Sequence, residues 1–217
     1  MREIGLGLIE GRMRRECAIL DVGCGAGMFL EEAVRRCKPS LAVGVDVSSY
    51  VASDVRCSAL GLPFEHKRFD LVVSNDVLQH VSAPETAIGE FRRVLTPGGL
   101  LLIRTAARRG FSWKAHVDSD DYRQWTQGAL SGLLERGGFR VERLTPVNWL
   151  PSLLADLRML ASPRPRGDVG LPPPAEDSSS KRGLLERYWR WERRRVLDRN
   201  QSLRSGHSLV ALASVLM

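Results

Sequence analysis

The chain has 217 residues, 43% of them hydrophobic and 26% charged, and a net charge of +7 at neutral pH. That length suits one α/β domain with a sizeable core rather than two, and the composition excludes a disordered chain. The charge is local: Lys181 to Arg204 holds nine basic and three acidic residues, which leaves the rest nearly neutral and argues against a nucleic-acid-binding surface.

No apolar run of about 18 residues is present to span a membrane. Met1 to Arg15 lacks the apolar stretch and cleavage site of a signal peptide. The cysteines Cys17, Cys24, Cys37 and Cys57 form no CxxC pair and no cluster with His. They point to reduced thiols in a cytoplasmic protein and away from a metal site.

In chain order, Cys17 to Val22 reads as a strand that ends in the turn Gly23-Cys24-Gly25-Ala26-Gly27. Met28 to Cys37 follows as a helix and Leu41 to Val47 as a second strand. Only eight residues separate Asp46 from Val55, whereas a crossover between parallel strands takes about a dozen. Either one helical turn fills this interval, or a strand at Val55-Arg56 does not pair normally. Phe69 to Ser74 is a third clear strand. From Pro84 to Leu95, Ala87, Ile88, Phe91, Val94 and Leu95 share one helical face, and Thr96-Pro97-Gly98-Gly99 breaks that helix.

Leu100 to Thr105 is again a strand. A helix over Asp120 to Arg136, capped by Asp118 or Ser119, stops at Gly137-Gly138, and Phe139 to Leu144 is the next strand. Trp149 to Leu160 reads as helical. Ala161 to Ser180, with five prolines and three consecutive serines, reads as a linker. Leu184 to Arg199 is a basic helix and Ser208 to Leu216 a final strand. The alternation predicts one α/β domain over 1–217, a sheet with crossover helices. Residues 149–206 form a helical and linker insertion before the last strand.

The glycine turn carries the functional signal. Glycines at every second position let the backbone bend sharply and approach a ligand with no Cβ between. The helix that follows offers its N-terminal N–H groups to an anionic moiety. A dinucleotide-binding turn runs G-x-G-x-x-G/A, and here Met28 stands at the last position. The spacing G-x-G-x-G, with Asp21 two residues ahead, resembles the first motif of class I S-adenosylmethionine-dependent methyltransferases.

The resemblance continues in order through Val43-Gly44-Val45-Asp46-Val47-Ser48, Leu62-Pro63-Phe64, Phe69-Asp70-Leu71-Val72, Ser74-Asn75-Asp76-Val77-Leu78-Gln79-His80-Val81 and Phe91-Arg92-Arg93-Val94-Leu95-Thr96-Pro97-Gly98-Gly99, covering residues 17 to 147. It implies a Rossmann-like, doubly wound, mostly parallel sheet with an antiparallel last strand. It also implies S-adenosylmethionine as cofactor. Asp21 would hold the methionine part and Asp46 the ribose hydroxyls, since a carboxylate accepts two hydrogen bonds from a diol. Gly23, Cys24, Gly25, Gly27, Val47 and Asn75 complete the implied cofactor site. Two departures stand out. The 47–61 segment is shorter than in the family, and Cys57-Ser58 stands where many members carry an Asp for the adenine amine, leaving Ser58 as the adenine contact.

The implied reaction is transfer of a methyl group to a small organic acceptor at O, N or C. Its alternatives are a non-catalytic S-adenosylmethionine-binding relic or regulatory protein and, third, a nicotinamide-dependent oxidoreductase. A hydroxyl acceptor needs a proton removed, for which neutral His suits pH 7. His80, after the fourth strand, and His116, in Ser112-Trp113-Lys114-Ala115-His116-Val117-Asp118, are the candidates. Trp149, Leu150, Leu153, Leu154 and Leu157 in the insertion either line the acceptor pocket or pack on the sheet. In the basic helix, Tyr188, Trp189 and Trp191 interleave with Arg187, Arg190, Arg193, Arg194 and Arg195. It is either a solvated helix with its Trp packed inward or a contact for an anionic membrane surface.

Overall fold

The computed structural model describes residues 2–14, 16–108, 123–148, 187–198 and 207–216. A seven-stranded sheet runs in the order β3-β2-β1-β4-β5-β7-β6. Its strands are β1 (Ala18–Val22), β2 (Leu41–Asp46), β3 (Val55–Arg56), β4 (Phe69–Asn75), β5 (Leu95–Ala106), β6 (Phe139–Val147) and β7 (Ser208–Val215). The helices are α1 (Arg2–Ile9), α2 (Met28–Cys37), α3 (Pro84–Val94), α4 (Gln127–Arg136) and α5 (187–193), the last continued by a π-helical turn at Arg194–Asp198. β1 to β5 pair in parallel, and β7 lies antiparallel between β5 and β6. This is the doubly wound sheet with an antiparallel last strand.

The period-two alternation of the strands builds two cores, one on each face. Ala18, Leu20, Val22, Val72, Leu101, Ile103, Leu209, Ala211 and Ala213 pack with Ile88 and Phe91 of α3 and Leu130, Leu133 and Leu134 of α4. Ile19, Leu71, Val73, Leu102, Val210 and Leu212 pack on the other face with Ile4, Leu6 and Ile9 of α1, Phe29 and Ala33 of α2, and Val196. Because both faces are covered, the central strands read as continuous apolar runs.

Four elements differ from the sequence reading. β3 does pair with β2 in regular parallel register, Val45 with Val55 and Asp46 with Arg56, across a connection of turns and bends without a helix. Asp54 makes the short path work: its carboxylate accepts from the Gly44 N–H at 2.7 Å and its own N–H donates to the Gly44 carbonyl at 2.9 Å. β5 begins at Leu95, not Leu100. Phe69 pairs with Leu95 and Leu71 with Leu100, so Thr96 to Gly99 bulge out of the ladder, with Gly98 at φ 73°.

α4 starts at Gln127 rather than near Asp120, because Thr126 caps it, its hydroxyl accepting from the Ala129 N–H at 3.1 Å. Ahead of it the chain is extended and Trp125 bridges Ala107. α1 has no counterpart in the sequence reading. The expected Asp118 or Ser119 cap, the 149–160 helix, the 161–180 linker and the ends of the basic helix lie outside the described residues.

α3 also anchors the Leu62-Pro63-Phe64 segment. Arg93 donates to the carbonyls of Phe64 (2.6 Å) and Leu62 (2.8 Å), while Glu90 accepts from the Leu62 N–H at 2.7 Å and pairs with Arg93. No helix among the described residues is long and apolar enough to cross a membrane.

Candidate functional site

The strand order reverses between β1 and β4, and open α/β sheets bind ligands outside the carboxyl ends of the strands at that point. A cleft of about 550 Å³ lies there, within the usual range for a ligand pocket. Its walls are the glycine turn from Gly23 to Ala26, Met28 and Phe29 of α2, Asn75 at the end of β4, Leu102 and Arg104 of β5, Val210 of β7, Gly5 of α1 and Trp189 of α5, with Asp21 among them.

The glycine turn folds as the sequence demands. Gly23 sits at φ 75°, and a Cβ there would come within 2.1 Å of a Val77 methyl, so only glycine lets the loop after β4 approach this closely. Its N–H and that of Cys24 both donate to the Val45 carbonyl, at 2.8 and 3.0 Å, which ties the turn to β2. Gly27, at φ 72°, leads into α2 with no side-chain cap. The helix N-terminus with its positive dipole end therefore opens beside the cleft.

Two carboxylates frame this turn. Asp46, at the end of β2, accepts from the Gly25 N–H at 3.0 Å through Oδ2 and from the Ser48 N–H at 2.9 Å through Oδ1. Each oxygen retains a lone pair for a further donor. Asp21 is 1% exposed, and its Oδ1 has no hydrogen-bond partner although it borders the cleft. Burial first, and the Asp46 charge second, push its carboxyl up from 3.8 to about 7. The same pressures hold Cys24 at about 11, burial first and then the Asp21 and Asp46 charges, so its thiol stays protonated and is no nucleophile at neutral pH.

Of the residues singled out from the sequence, Asp21, Gly23, Cys24, Gly25 and Asn75 line the cleft. Asp46 and Gly27 are not on the cleft wall; Asp46 is tied to it through the Gly25 N–H, and Gly27 closes the glycine turn ahead of α2. Val47 is 68% exposed beyond Asp46. Ser58 is exposed, its hydroxyl accepting from the Leu60 N–H at 3.2 Å. His80 is exposed at the end of the 3₁₀ turn Leu78–His80, whose Leu78 and Gln79 are buried, and is not on the cleft wall. His116 and the residues from Trp149 to Leu157 lie outside the described residues.

Sequence reasoning missed Gly5, Ala26, Met28, Phe29, Leu102, Arg104, Trp189 and Val210. Ala26 lies in the glycine turn and Met28 and Phe29 open α2, so these were within reach of the sequence, but the others meet only through the tertiary fold. Arg104 pairs with Asp76, its Nε 3.1 Å from Oδ1, and so presents a neutralised ion pair at the rim.

Fold and site together define an α/β domain with a ligand-sized cleft at the switch point of its sheet. Residues 20–103 match a family model described as a methyltransferase domain. That match runs from β1 to β5 and covers 84 of the 217 residues. The chain is 32% identical over 110 residues to the ubiquinone biosynthesis O-methyltransferase of Bradyrhizobium sp. (strain ORS 278), an alignment covering 45% of this chain and 42% of that protein. The chain thus spans less than half the length of that relative.

Among solved structures, it resembles the protein solved with the Trm112 methyltransferase activator of Haloferax volcanii, at TM-score 0.65 and 17% identity, over 100% of this chain and 90% of that one. It also resembles the [4+2]-cyclase SpnF, at TM-score 0.63 and 19% identity, over 100% and 81%. These two likenesses concern the fold alone.

The residues present fit S-adenosylmethionine. A buried carboxylate oxygen without a partner faces the cleft, glycines leave the backbone bare, and a second acid stands one strand away at the same sheet end.

Proposed function

We propose that this protein transfers the methyl group of S-adenosylmethionine to a small organic acceptor. The observation that carries the reading is the Asp21–glycine turn–Asp46 arrangement at the switch point of the sheet. Asp21 would meet the cationic amino group of the methionine part, a partner that satisfies its orphaned oxygen and returns its proton to solvent. Asp46 would accept from the ribose hydroxyls, and the purine beyond them would rest by exposed Val47 and Ser58. Gly23, Cys24, Gly25 and Gly27 give the bare backbone, and Asn75 the opposite wall.

The cofactor supplies an electrophilic methyl on a positively charged sulfur. The protein's task is to align the acceptor with it and exclude water. For a hydroxyl acceptor a base takes the proton, and we assign that to His80, with His116 as the second candidate. His80 serves an acceptor that reaches over the rim toward the loop after β4. Bound to a donor cofactor, the enzyme should release S-adenosylhomocysteine when offered catechol-type and amine acceptors, followed by mass spectrometry. His80→Ala should slow methylation of hydroxyls at least about tenfold while sparing cofactor affinity. An undiminished rate would remove His80 from the chemistry.

The same reading places the protein in the cytoplasm, in keeping with four free cysteines. It treats 1–217 as one domain with 149–206 as cover for the acceptor side. It also gives α5 a contact with an anionic membrane surface, supported by its exposed arginines, and no nucleic-acid partner.

A further inference from the structure

We propose that the apolar side of the cleft, walled by Gly5, Phe29, Leu102, Val210 and Trp189, takes a flat aromatic acceptor ring that lies against the Trp189 indole. The proposal rests on the methyl-transfer reading above and adds the chemical class of the acceptor. Two independent observations carry it.

The first is how α5 distributes its aromatic side chains. Tyr188, Glu192 and Val196 turn inward, at 8%, 0% and 1% exposure, and Tyr188 donates to the Glu192 carboxylate at 2.7 Å. That anchoring fixes the helix and leaves Trp189 exposed on the cleft wall, at 42%. A rigid indole held open beside Phe29 and Leu102 is a stacking plate, since ring against ring in offset or edge geometry gains more than the same area of aliphatic surface. The polar groups of the cleft, Asp21, Asn75 and the Arg104 that pairs with Asp76, belong to the strand ends. The apolar ones come from α1, α2, β5, β7 and α5, so the two halves of the cleft differ in chemistry.

The second is Gly5. It lies inside α1 with no left-handed backbone angle to require glycine, and glycine in a helix interior costs about 1 kcal/mol against alanine. A Cβ there would meet Leu102 Cδ2 at 3.2 Å and Phe29 Cε2 at 3.4 Å, two residues of the same wall. Glycine at this position lets α1 pack closely on Leu102 and Phe29, which holds these two apolar wall residues in place.

The test is calorimetric titration of catechol, 2-naphthol and cyclohexanol into the protein saturated with S-adenosylhomocysteine. Wild-type protein should bind the two aromatics and not the aliphatic alcohol. Trp189→Ala should weaken the aromatics about tenfold with S-adenosylhomocysteine affinity unchanged, and Trp189→Phe should stay within about threefold of wild type. Gly5→Ala, whose added Cβ would displace Leu102 and Phe29, should weaken 2-naphthol more than catechol because the larger ring touches more of the displaced wall. Equal binding of cyclohexanol, or aromatic affinity indifferent to Trp189→Ala in a variant that still binds S-adenosylhomocysteine, would overturn the proposal, as would no aromatic binding at all. Failure of the parent reading looks different: no binding of S-adenosylhomocysteine by wild type, with Trp189-dependent aromatic binding intact.

Discussion

Asp21 is the residue whose surroundings cost most and therefore say most. Unfolded, its carboxyl ionises near 3.8; folded, near 7, because burial and then Asp46 disfavour the charge. The native state thus holds a proton that the unfolded state has lost across that window. Its contribution to stability falls as pH rises from about 4 to about 7 and stays low above. Asp21→Asn keeps the shape and removes the titration. In urea denaturation the variant should be more stable than wild type at pH 8, by about 2–4 kcal/mol, and close to it at pH 4. An unchanged difference between the two at both pH values would show that Asp21 is not held neutral. A destabilised ligand-free site of this kind is what a cationic ligand relieves.

At the scale of elements, α5 faces two ways. Its inward residues close the α1 side of the sheet, and outward it shows Arg187, Arg190, Arg193 and Arg194, with Trp191 at 39% exposure against Arg195. Its acid within 187–193, Glu192, is buried, so the exposed face is positive. Each basic residue near an anionic bilayer is worth about 1 kcal/mol, and the term is screened by salt. The protein should sediment with phosphatidylcholine vesicles that carry about a third phosphatidylglycerol and detach in about 0.5 M salt. The triple variant Arg187→Glu, Arg190→Glu, Arg194→Glu should remain in the supernatant. Equal binding to neutral vesicles, or by the triple variant, would contradict a charge-driven contact.

Of the two sequence readings of α5, a contact for an anionic membrane surface or a solvated helix with its Trp packed inward, the second needs Trp189 and Trp191 to face inward. Tyr188 and Val196 do so instead, because the packing partners lie in α1 and β6, about 40 to 190 residues away in the chain. α1 escaped notice for the same reason. Gly5 and Gly7 weaken its helical signal, and Gly7 is shaped by a distant residue: a Cβ there would come within 2.2 Å of Leu197.

For the whole molecule, what could be read from the chain was what short-range geometry dictates. The turn after β1 needs positive φ at Gly23, Gly25 and Gly27, and strand ends put Asp21 and Asp46 one strand apart at the same end of the sheet. The sheet with crossover helices followed from the alternation of apolar runs with helical patterns. The acceptor side was not legible, since Gly5, Leu102, Val210 and Trp189 come together only when both ends of the chain close over one face of the sheet. The short 47–54 connection was legible as an anomaly, but its solution, Asp54 reaching Gly44, was not.

S-adenosylmethionine is expected to bind in this cleft with Asp46 on its sugar. The most direct measurement is calorimetric titration of wild-type protein and Asp46→Ala with S-adenosylmethionine and, separately, with NADH. Wild type should bind S-adenosylmethionine at one site and NADH not at all, and Asp46→Ala should weaken the first about tenfold or more, the loss of charge-accepted hydrogen bonds. Binding of NADH, no binding of S-adenosylmethionine, or equal affinity in Asp46→Ala would contradict it.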